Sequence, residues 1–490
     1  MKQKGIFIFL GPLLFLIILL LRAPSDMERV AFVVIACTVW IALWWLTEAL
    51  PIGITSLLPL LLFPLCAIMP IKDVAGFYSN PIIFLFIGGF VIALAMERWN
   101  LHKRIALQII RFTGTNQKQI LLGFILATGF LSMWISNTAT TMMMLPIALS
   151  IIFQFESILG QPGYSDQNPQ LFGKALVMSI AYAASIGGMA TIVGTPTNLI
   201  FVEFAREYYD YDVPFDKWFI FALPLVVVLG AFLWWHMSSN AFKLDKKEVP
   251  GSKNVIDKEL QSLGKISYEE KWVLVIFILV AVAWISRKYL ISPLFPNVTD
   301  TTIALIGAVM LFIIPSRAKQ DQMIMNWNTA KRLPWEVILL FGGAFAVAGS
   351  FQASGLTTWI GLKLSMVEAV PMWLILLIIV AVVNYLTELT QNMATCTLML
   401  PVLAGLSLAI DVHPFGMMVS MTIAASCAFM LPVATAPNAI VFGSGSLHMK
   451  DMVRAGFLLN IVSIILISIY SYFFLPLIWG IELGKFPVSF

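Results

Sequence analysis

The sequence predicts an all-α polytopic membrane protein with about eleven transmembrane helices and two re-entrant hairpins. The first reason is composition: of the 490 residues, 60% are apolar and only 11% are charged, and the mean hydropathy is +0.90. Soluble domains average about 45–50% apolar and about 25% charged residues. The second reason is pattern, because apolar runs long enough to cross a bilayer recur along the whole chain. These observations exclude soluble enzymes and transcription factors.

The apolar runs place the membrane-spanning helices in order. The first run, 6–22, follows Lys2 and Lys4 and could be read as a signal peptide, but it ends without an A-x-A cleavage pattern. We therefore interpret it as an uncleaved first span. The remaining spans are predicted at 29–47, 50–69, 80–98, 172–202, 216–237, 272–291, 299–315, 334–351, 412–443 and 453–480.

Two apolar stretches, 119–153 and 371–409, are too long for one span and are interrupted near the middle by polar residues. We interpret each as a re-entrant hairpin that enters and leaves the membrane on one side. The N-terminus is then cytoplasmic, the C-terminus is external, and roughly two thirds of the lysines and arginines lie inside, as the positive-inside rule requires. Two full crossings would give the same charge bias, so that alternative stays open.

The chain carries three motifs twice, in the same order. The copies are Gly88-Gly89, Ser136-Asn137-Thr138 and Thr195-Pro196-Thr197-Asn198, then Gly342-Gly343, Gln391-Asn392-Met393 and Thr435-Ala436-Pro437-Asn438. The first Gly-Gly helix is predicted to run inward and the second outward, so the repeats are inverted. Inverted repeats are typical of secondary transporters, whose substrate and ion sites lie at broken helices near mid-membrane. Close helix packing at small residues does not explain three ordered matches.

The repeat divides the chain into four segments. Residues 1–28 hold the N-terminus and the first span, and 239–271, rich in Lys, Asp and Glu, form a cytoplasmic linker loop. The two inverted repeats are 29–238 (hairpin 119–153, broken helix 172–202) and 272–490 (hairpin 371–409, broken helix 412–443).

The polar interruptions indicate a ligand site, because unpaired backbone is tolerated at membrane depth only around an enclosed cavity. Helix N-termini there suit carboxylates, and unwound carbonyls suit a small cation. No lysine or arginine occurs in 119–173 or 371–449, so a bound anion would need a cation such as Na⁺ to offset its charge. Few ionisable groups lie at depth, which favours Na⁺ over proton coupling. Glu388 is either a functional acid or an anchor for the hairpin backbone.

Other classes of protein lack their signatures. The four cysteines lie in apolar runs without a CxxC pair, so neither a disulfide framework nor a zinc site is indicated. No block of like charge suits nucleic acid. A membrane-embedded enzyme would need a cluster such as HExxH, and the four histidines are scattered. An anion channel would need rings of fixed charge along a pore.

Several long strings resemble the divalent anion/sodium symporter family, which includes INDY-type sodium-coupled dicarboxylate transporters. They are Trp44-Trp45-Leu46-Thr47-Glu48-Ala49-Leu50-Pro51-Ile52, Ala95-Met96-Glu97-Arg98-Trp99-Asn100-Leu101-His102-Lys103-Arg104, Met133-Trp134-Ile135-Ser136-Asn137-Thr138-Ala139-Thr140 and Ala436-Pro437-Asn438-Ala439-Ile440-Val441-Phe442-Gly443-Ser444-Gly445. The resemblance implies a homodimer in which a transport domain with both hairpins moves like an elevator against a scaffold domain. Amphipathic surface helices at 99–112 and 353–366 would join the two domains.

The resemblance also implies the site residues. The first Na⁺ site would use Ser132, Ser136, Asn137 and Gly194, and the second Thr387, Thr390, Asn392 and Ala434. The substrate-binding residues would be Asn137, Thr138, Thr195, Asn392, Met393 and Thr435. One departure stands out: Gln391 and Met393 replace the serine and threonine of the family's second Ser-Asn-Thr, which puts the second Na⁺ site and the identity of the substrate in question.

We therefore expect a Na⁺-coupled symporter of C4-dicarboxylates such as succinate, malate or fumarate, in the plasma membrane (the bacterial inner membrane). The partners would be the substrate, sodium ions, lipid and a second copy of the chain, with no nucleic acid. A dicarboxylate or citrate exchanger of the same fold is the nearest alternative, and an anion channel is the alternative from another class. No enzymatic activity is expected.

Overall fold

The structure is a computed structural model that describes residues 2–158, 168–318, 322–364 and 370–487. These residues form helices joined by turns and loops, as the predicted all-α membrane fold requires. The helices of the first half are α1 Lys2–Leu20, α2 Arg29–Thr47, α3 Ile52–Thr55, α4 Leu58–Leu65, α5 Ile71–Phe77, α6 Pro81–Arg98, α7 Leu101–Thr113, α8 Gln117–Ser132, α9 Asn137–Ile158, α10 Pro169–Gly188, α11 Pro196–Tyr209, α12 Phe215–Trp235 and α13 Ser252–Ser262.

The second half shows the same pattern of spans, a hairpin and a broken helix. Its helices are α14 Tyr268–Ser286, α15 Asp300–Ile313, α16 Trp327–Ala330, α17 Trp335–Ala353, α18 Leu356–Leu364, α19 Met372–Leu389, α20 Asn392–Ala409, α21 Pro414–Ala425, α22 Ala436–Gly443 and α23 Met449–Trp479. Two π-helical segments, His236–Ala241 and Arg287–Ile291, extend α12 and α14.

In the described part of the chain, ten helical segments are long and apolar enough to cross a bilayer. Three of them are the hairpin helices α9, α19 and α20. At 18 residues each, α19 and α20 are about 27 Å long, close to the thickness of a hydrocarbon core. Length therefore does not separate re-entry from full crossing, and the re-entrant interpretation stays a prediction.

Four of the predicted spans contain shorter apolar helices, and the clearest difference is at 50–69. There the structure has two pieces, α3 with four residues and α4 with eight. A residue beyond this segment stabilises the break, because the Tyr78 hydroxyl donates to the Ser56 carbonyl. Gly343 on α17 packs on the same carbonyl: a Cβ at this position would lie 2.6 Å from the Ser56 oxygen. Hydropathy alone could not show this tertiary contact.

The broken helices lie at the centre of the molecule. Every residue from Ala175 to Gly188 on α10 and every residue of α21 is buried. Close approach occurs where glycines meet, since a Cβ on Gly187 would lie 2.2 Å from the carbonyl oxygen of Gly129 on α8. The hairpins pack against this centre, α8 on α10 and α19 on α21. The breaks of hairpin and broken helix are thereby brought together in each half.

The linker between the halves is partly helical and is attached to the predicted surface helix 99–112, which is α7. Arg104 Nε on α7 lies 2.9 Å from the Glu270 carboxylate in a buried ion pair. Lys103 and Glu259 on α13 form a more exposed pair at 2.7 Å. The second predicted surface helix, 353–366, corresponds to α18, and its last two residues lie outside the described part of the chain.

Candidate functional site

Each half contains two unwound segments at its hairpin and broken helix. They are 133–136 and 189–195 in the first half, and 390–391 and 426–435 in the second. Helix ends leave backbone N–H and C=O groups without intrahelical partners. The N-termini of α9, α11, α20 and α22 therefore offer partial positive charge, and the ends of α8, α10, α19 and α21 offer carbonyl oxygens.

Three oxygens cluster at the first hairpin. Ser132 Oγ lies 2.6 Å from Asn137 Oδ1 and 2.7 Å from the Ala184 carbonyl oxygen. A hydroxyl carries one proton and can satisfy only one of these acceptors. Gly188 leaves room for the amide, because a Cβ there would lie 2.4 Å from Asn137 Oδ1. One pair of neighbouring oxygens is therefore left without a proton between its two atoms. A small cation bound there would offset the repulsion between these oxygens.

The second hairpin repeats this cluster with equivalent residues. Thr387 Oγ1 lies 2.8 Å from Asn392 Oδ1 and 3.1 Å from the Ala425 carbonyl oxygen. Again one hydroxyl proton faces two acceptors. The two asparagines of the hairpin motifs thus begin α9 and α20, and the side-chain oxygen of each lies beside a hydroxyl that also faces the end of a broken helix.

Two further asparagines, which belong to the repeated motifs but not to the predicted site, hold the unwound segments. Asn198 Nδ2 donates to the Thr191 carbonyl at 2.8 Å. Asn438 Nδ2 donates to the Leu431 carbonyl at 3.1 Å. In both, the side-chain Oδ1 is buried without a hydrogen-bond partner. The position of each asparagine at the end of a repeated motif is the sequence feature that could have identified it.

Comparison with known proteins gives the family. The sequence model described as the sodium:sulfate symporter transmembrane region matches residues 4–480. The chain belongs to this family. Its members are transporters, which agrees with the resemblance found in the motifs and confirms that the chain is not an enzyme.

Two relatives of this sodium:sulfate symporter family member are named sodium-dependent dicarboxylate transporter SdcS. The protein of Staphylococcus saprophyticus is 45% identical over 98% of this chain and 92% of its own length. The protein of Staphylococcus aureus strain USA300 is 45% identical, with the same coverage of both chains.

Two solved transporters share the fold. MtrF of Neisseria gonorrhoeae aligns with a TM-score of 0.59 at 14% identity, over 84% of this chain and 85% of MtrF. YdaH of Alcanivorax borkumensis aligns with a TM-score of 0.55 at 11% identity, over 83% of this chain and 88% of YdaH. At such low identity, the likeness concerns the fold alone.

The broken helices of this symporter family member meet through hydroxyl groups. Thr197 Oγ1 lies 3.0 Å from Ser426 Oγ and 3.4 Å from Thr195 Oγ1. The Thr435 hydroxyl accepts a hydrogen bond from the Asn438 backbone at 3.4 Å and so caps α22. The structure therefore brings both predicted threonines of the broken helices to helix N-termini at the breaks.

The remaining predicted residues of the first half lie around the same break. Ser136 Oγ accepts from the Ala139 backbone at 3.3 Å, and Thr138 is half-buried on the first turn of α9. At Gly194 a Cβ would lie 2.4 Å from the Gly188 carbonyl oxygen, so only glycine fits there without a shift. In the second half, the equivalent Ala434 is buried.

The second hairpin tip differs from the first. Thr390 Oγ1 lies 2.6 Å from Thr395 Oγ1, so its hydroxyl is engaged within the tip. Gln391 Nε2 donates to Glu48 Oε1 at the end of α2. Met393 is half-buried and packs against buried apolar side chains. The departures noted in the sequence thus create a contact between the tip and α2.

Glu388 holds the unwound segment of the second broken helix. Its Oε1 accepts from the Phe429 and Met430 backbone N–H groups at 2.8 and 2.9 Å, and its Oε2 accepts from Leu431 at 2.9 Å. Asn460 Nδ2 on α23 donates to Oε1 at 2.7 Å. The side chain is 3% exposed. Of the two open interpretations the geometry favours an anchor, but the backbone that Glu388 holds belongs to the broken helix and not, as expected, to the hairpin.

Proposed function

We propose that the chain couples Na⁺ to the import of C4-dicarboxylates such as succinate, malate or fumarate. The observation that carries the proposal is the pair of equivalent oxygen clusters at the hairpin tips, each facing the break of a broken helix. Unwound carbonyls and helix ends of this kind bind coupling ions and anionic substrates in secondary transporters. The names of the relatives supply the class of substrate.

In this proposal, neutral oxygens bind the coupling ions. Na⁺ brings the positive charge that 119–173 and 371–449, without lysine or arginine, do not supply to a dianion. The first ion is assigned to Ser132, Ser136, Asn137 and Gly194, and the second to Thr387, Thr390, Asn392 and Ala434.

The substrate carboxylates would lie against the helix N-termini that flank these ions, because those ends carry partial positive charge. The assigned side chains are Asn137, Thr138, Thr195, Asn392, Met393 and Thr435. The thioether of Met393 cannot donate a hydrogen bond. The absence of one donor to a charged group weakens binding by roughly 1.5–3 kcal/mol.

The proposal includes an elevator movement of a transport domain made of both hairpins and both broken helices. The contact between Thr197 and Ser426 supports this, since it joins the two breaks. In the proposed arrangement α7 and α18 are the arms between transport and scaffold domains, two copies form a homodimer, and the chain lies in the plasma membrane with its N-terminus inside.

Uptake of labelled succinate into proteoliposomes tests the coupling. Uptake that needs an inward Na⁺ gradient, fails with K⁺ and needs no internal substrate would establish symport. Uptake that needs vesicles preloaded with succinate and ignores Na⁺ would instead establish an exchanger. Unlabelled sulfate, the anion in the family's description, serves as competitor: inhibition by sulfate but not by malate or fumarate would overturn the proposed substrate class.

A further inference from the structure

A small cavity lies beside the first hairpin tip, between α6 and the start of α17. Its volume is about 150 Å³, and Ser136, Glu97, Arg332 and Pro334 are among the residues that line it. This volume is well above the roughly 10–15 Å³ that a single water molecule needs, so the cavity has room for a small organic anion. Ser136 neighbours Asn137, so the cavity adjoins the first oxygen cluster.

The fold supplies here the basic side chain that the hairpin sequences lack. Arg332 lies far along the chain from the first hairpin, yet it lines the same cavity as Ser136. Its Nη2 donates to Glu97 Oε1 on α6. The two side chains are 58% and 33% exposed. Exposed ion pairs of this kind contribute little to stability, so an incoming carboxylate can replace Glu97 at small cost.

The other polar features of the cavity also favour an anion. Pro334 is the N-cap of α17, a helix of 19 residues, and a helix N-terminus carries partial positive charge. Ser136 contributes a hydroxyl group. Glu97 is the single acidic side chain among the lining residues, and it already faces Arg332; Glu336, on the first turn of α17, does not line the cavity.

We propose that this cavity is an entry subsite for the carboxylate of a small dicarboxylate, on the path between one membrane face and the first hairpin tip. Arg332 exchanges the Glu97 carboxylate for that of the substrate, and Ser136 passes the anion to the site at Asn137. The inference rests on the proposed function. Because the charge bias places Arg332 on the inner side, the subsite serves the inner face.

An entry subsite predicts an effect confined to one membrane face. We would measure initial rates of labelled succinate uptake against succinate concentration in inside-out and right-side-out vesicles, at several ionic strengths. Arg332→Ala should raise the half-saturating concentration about five- to tenfold on the face that exposes Arg332 and less than about twofold on the other. The salt dependence on the affected face should flatten, because the steering charge is gone.

Three further variants separate charge from folding. Arg332→Lys should keep most of the wild-type behaviour. Glu97→Gln removes the competing carboxylate and should lower the half-saturating concentration on the same face. Lys331→Ala, an exposed neighbour that does not line the cavity, is the matched control and should change neither face.

The outcomes distinguish this inference from the proposed function. If the wild type takes up succinate with Na⁺ but Arg332→Ala changes both faces equally or neither face, the subsite is overturned and the function stands. An equal effect of Lys331→Ala, or no effect of Glu97→Gln, also overturns the subsite. An effect on the opposite face supports the subsite and reverses the orientation. If the wild type does not transport succinate, both proposals fail.

Discussion

The two hairpins share an oxygen cluster but support it in different ways. Ser132 with Asn137 and Thr387 with Asn392 have nearly the same geometry, at 2.6 and 2.8 Å. The hairpins differ at the residue that follows this serine or threonine, which is Met133 in the first hairpin and Glu388 in the second. The repeat therefore keeps the oxygens of the proposed ion sites, while their support differs between the halves.

The supports differ in strength. In the first half a neutral hydrogen bond, from Thr191 Oγ1 to the Met133 carbonyl at 2.5 Å, joins the unwound segment to the hairpin. In the second half the Glu388 carboxylate accepts three backbone N–H groups between 2.8 and 2.9 Å. Hydrogen bonds to a charged group are about twice as strong as neutral ones. The second break thus depends far more on one side chain.

The largest effects are expected where the halves agree. Asn137→Ala and Asn392→Ala each remove an oxygen ligand from a proposed ion site and a side-chain amide that would donate to the substrate. Each lost interaction with a charged group weakens binding by roughly 1.5–3 kcal/mol. Each should abolish Na⁺-driven succinate uptake while the protein still folds, as judged by size-exclusion chromatography. Asn254→Ala, at an exposed position on α13, is the control. Wild-type uptake by either variant would contradict the site assignment.

The second effect separates the halves. Glu388→Gln replaces a carboxylate oxygen with an NH₂ group. This group faces backbone N–H donors and leaves at least one of them without an acceptor. We therefore expect the half-saturating Na⁺ concentration to rise about tenfold or more. Thr191→Val, which removes the neutral support of the first half, should raise it by less than about fivefold. Both are measured as Na⁺ dependence of uptake at fixed succinate.

Glu336→Gln, at an exposed position, controls for loss of charge alone. Equal effects of the Glu388 and Thr191 substitutions would mean that the charge of Glu388 does not set the strength of the second support.

The contrast also shows what sequence can predict. The sequence could predict the oxygen clusters because Asn137 and Asn392 each interrupt the apolar run of their own hairpin, 119–153 and 371–409, and hydropathy detects such interruptions. The sequence could not predict the supports, because their partners are distant in sequence. Glu388 accepts hydrogen bonds from the backbone of 429–431, two helices further along the chain, and Gln391 donates to Glu48, which lies near the N-terminus. The break inside the predicted span 50–69 is likewise set by a distant contact, with Gly343 of α17.

A smaller effect is expected at the position where the tips differ in ligand chemistry. Met393→Thr restores a hydroxyl group equivalent to that of Thr138. If position 393 faces the substrate, the apparent affinity for dicarboxylates should rise about tenfold, the low end of what a regained donor to a charged group contributes. Competition of succinate, malate, fumarate and citrate against labelled succinate measures this. An unchanged order and affinity would mean that position 393 does not face the ligand.

The smallest effect is expected at the contact between the second tip and α2. Gln391→Ser removes the hydrogen bond to Glu48, and a partly exposed bond of this kind contributes about 1 kcal/mol. If the tip must leave α2 in each cycle, loss of the bond lowers that barrier and should raise the turnover rate up to about fivefold. In the Glu48→Ala background, Gln391→Ser should add nothing, because both substitutions remove the same bond. Gln261→Ser, at an exposed position on α13, should leave turnover unchanged. Additive effects of the two single substitutions would show that Gln391 and Glu48 act separately.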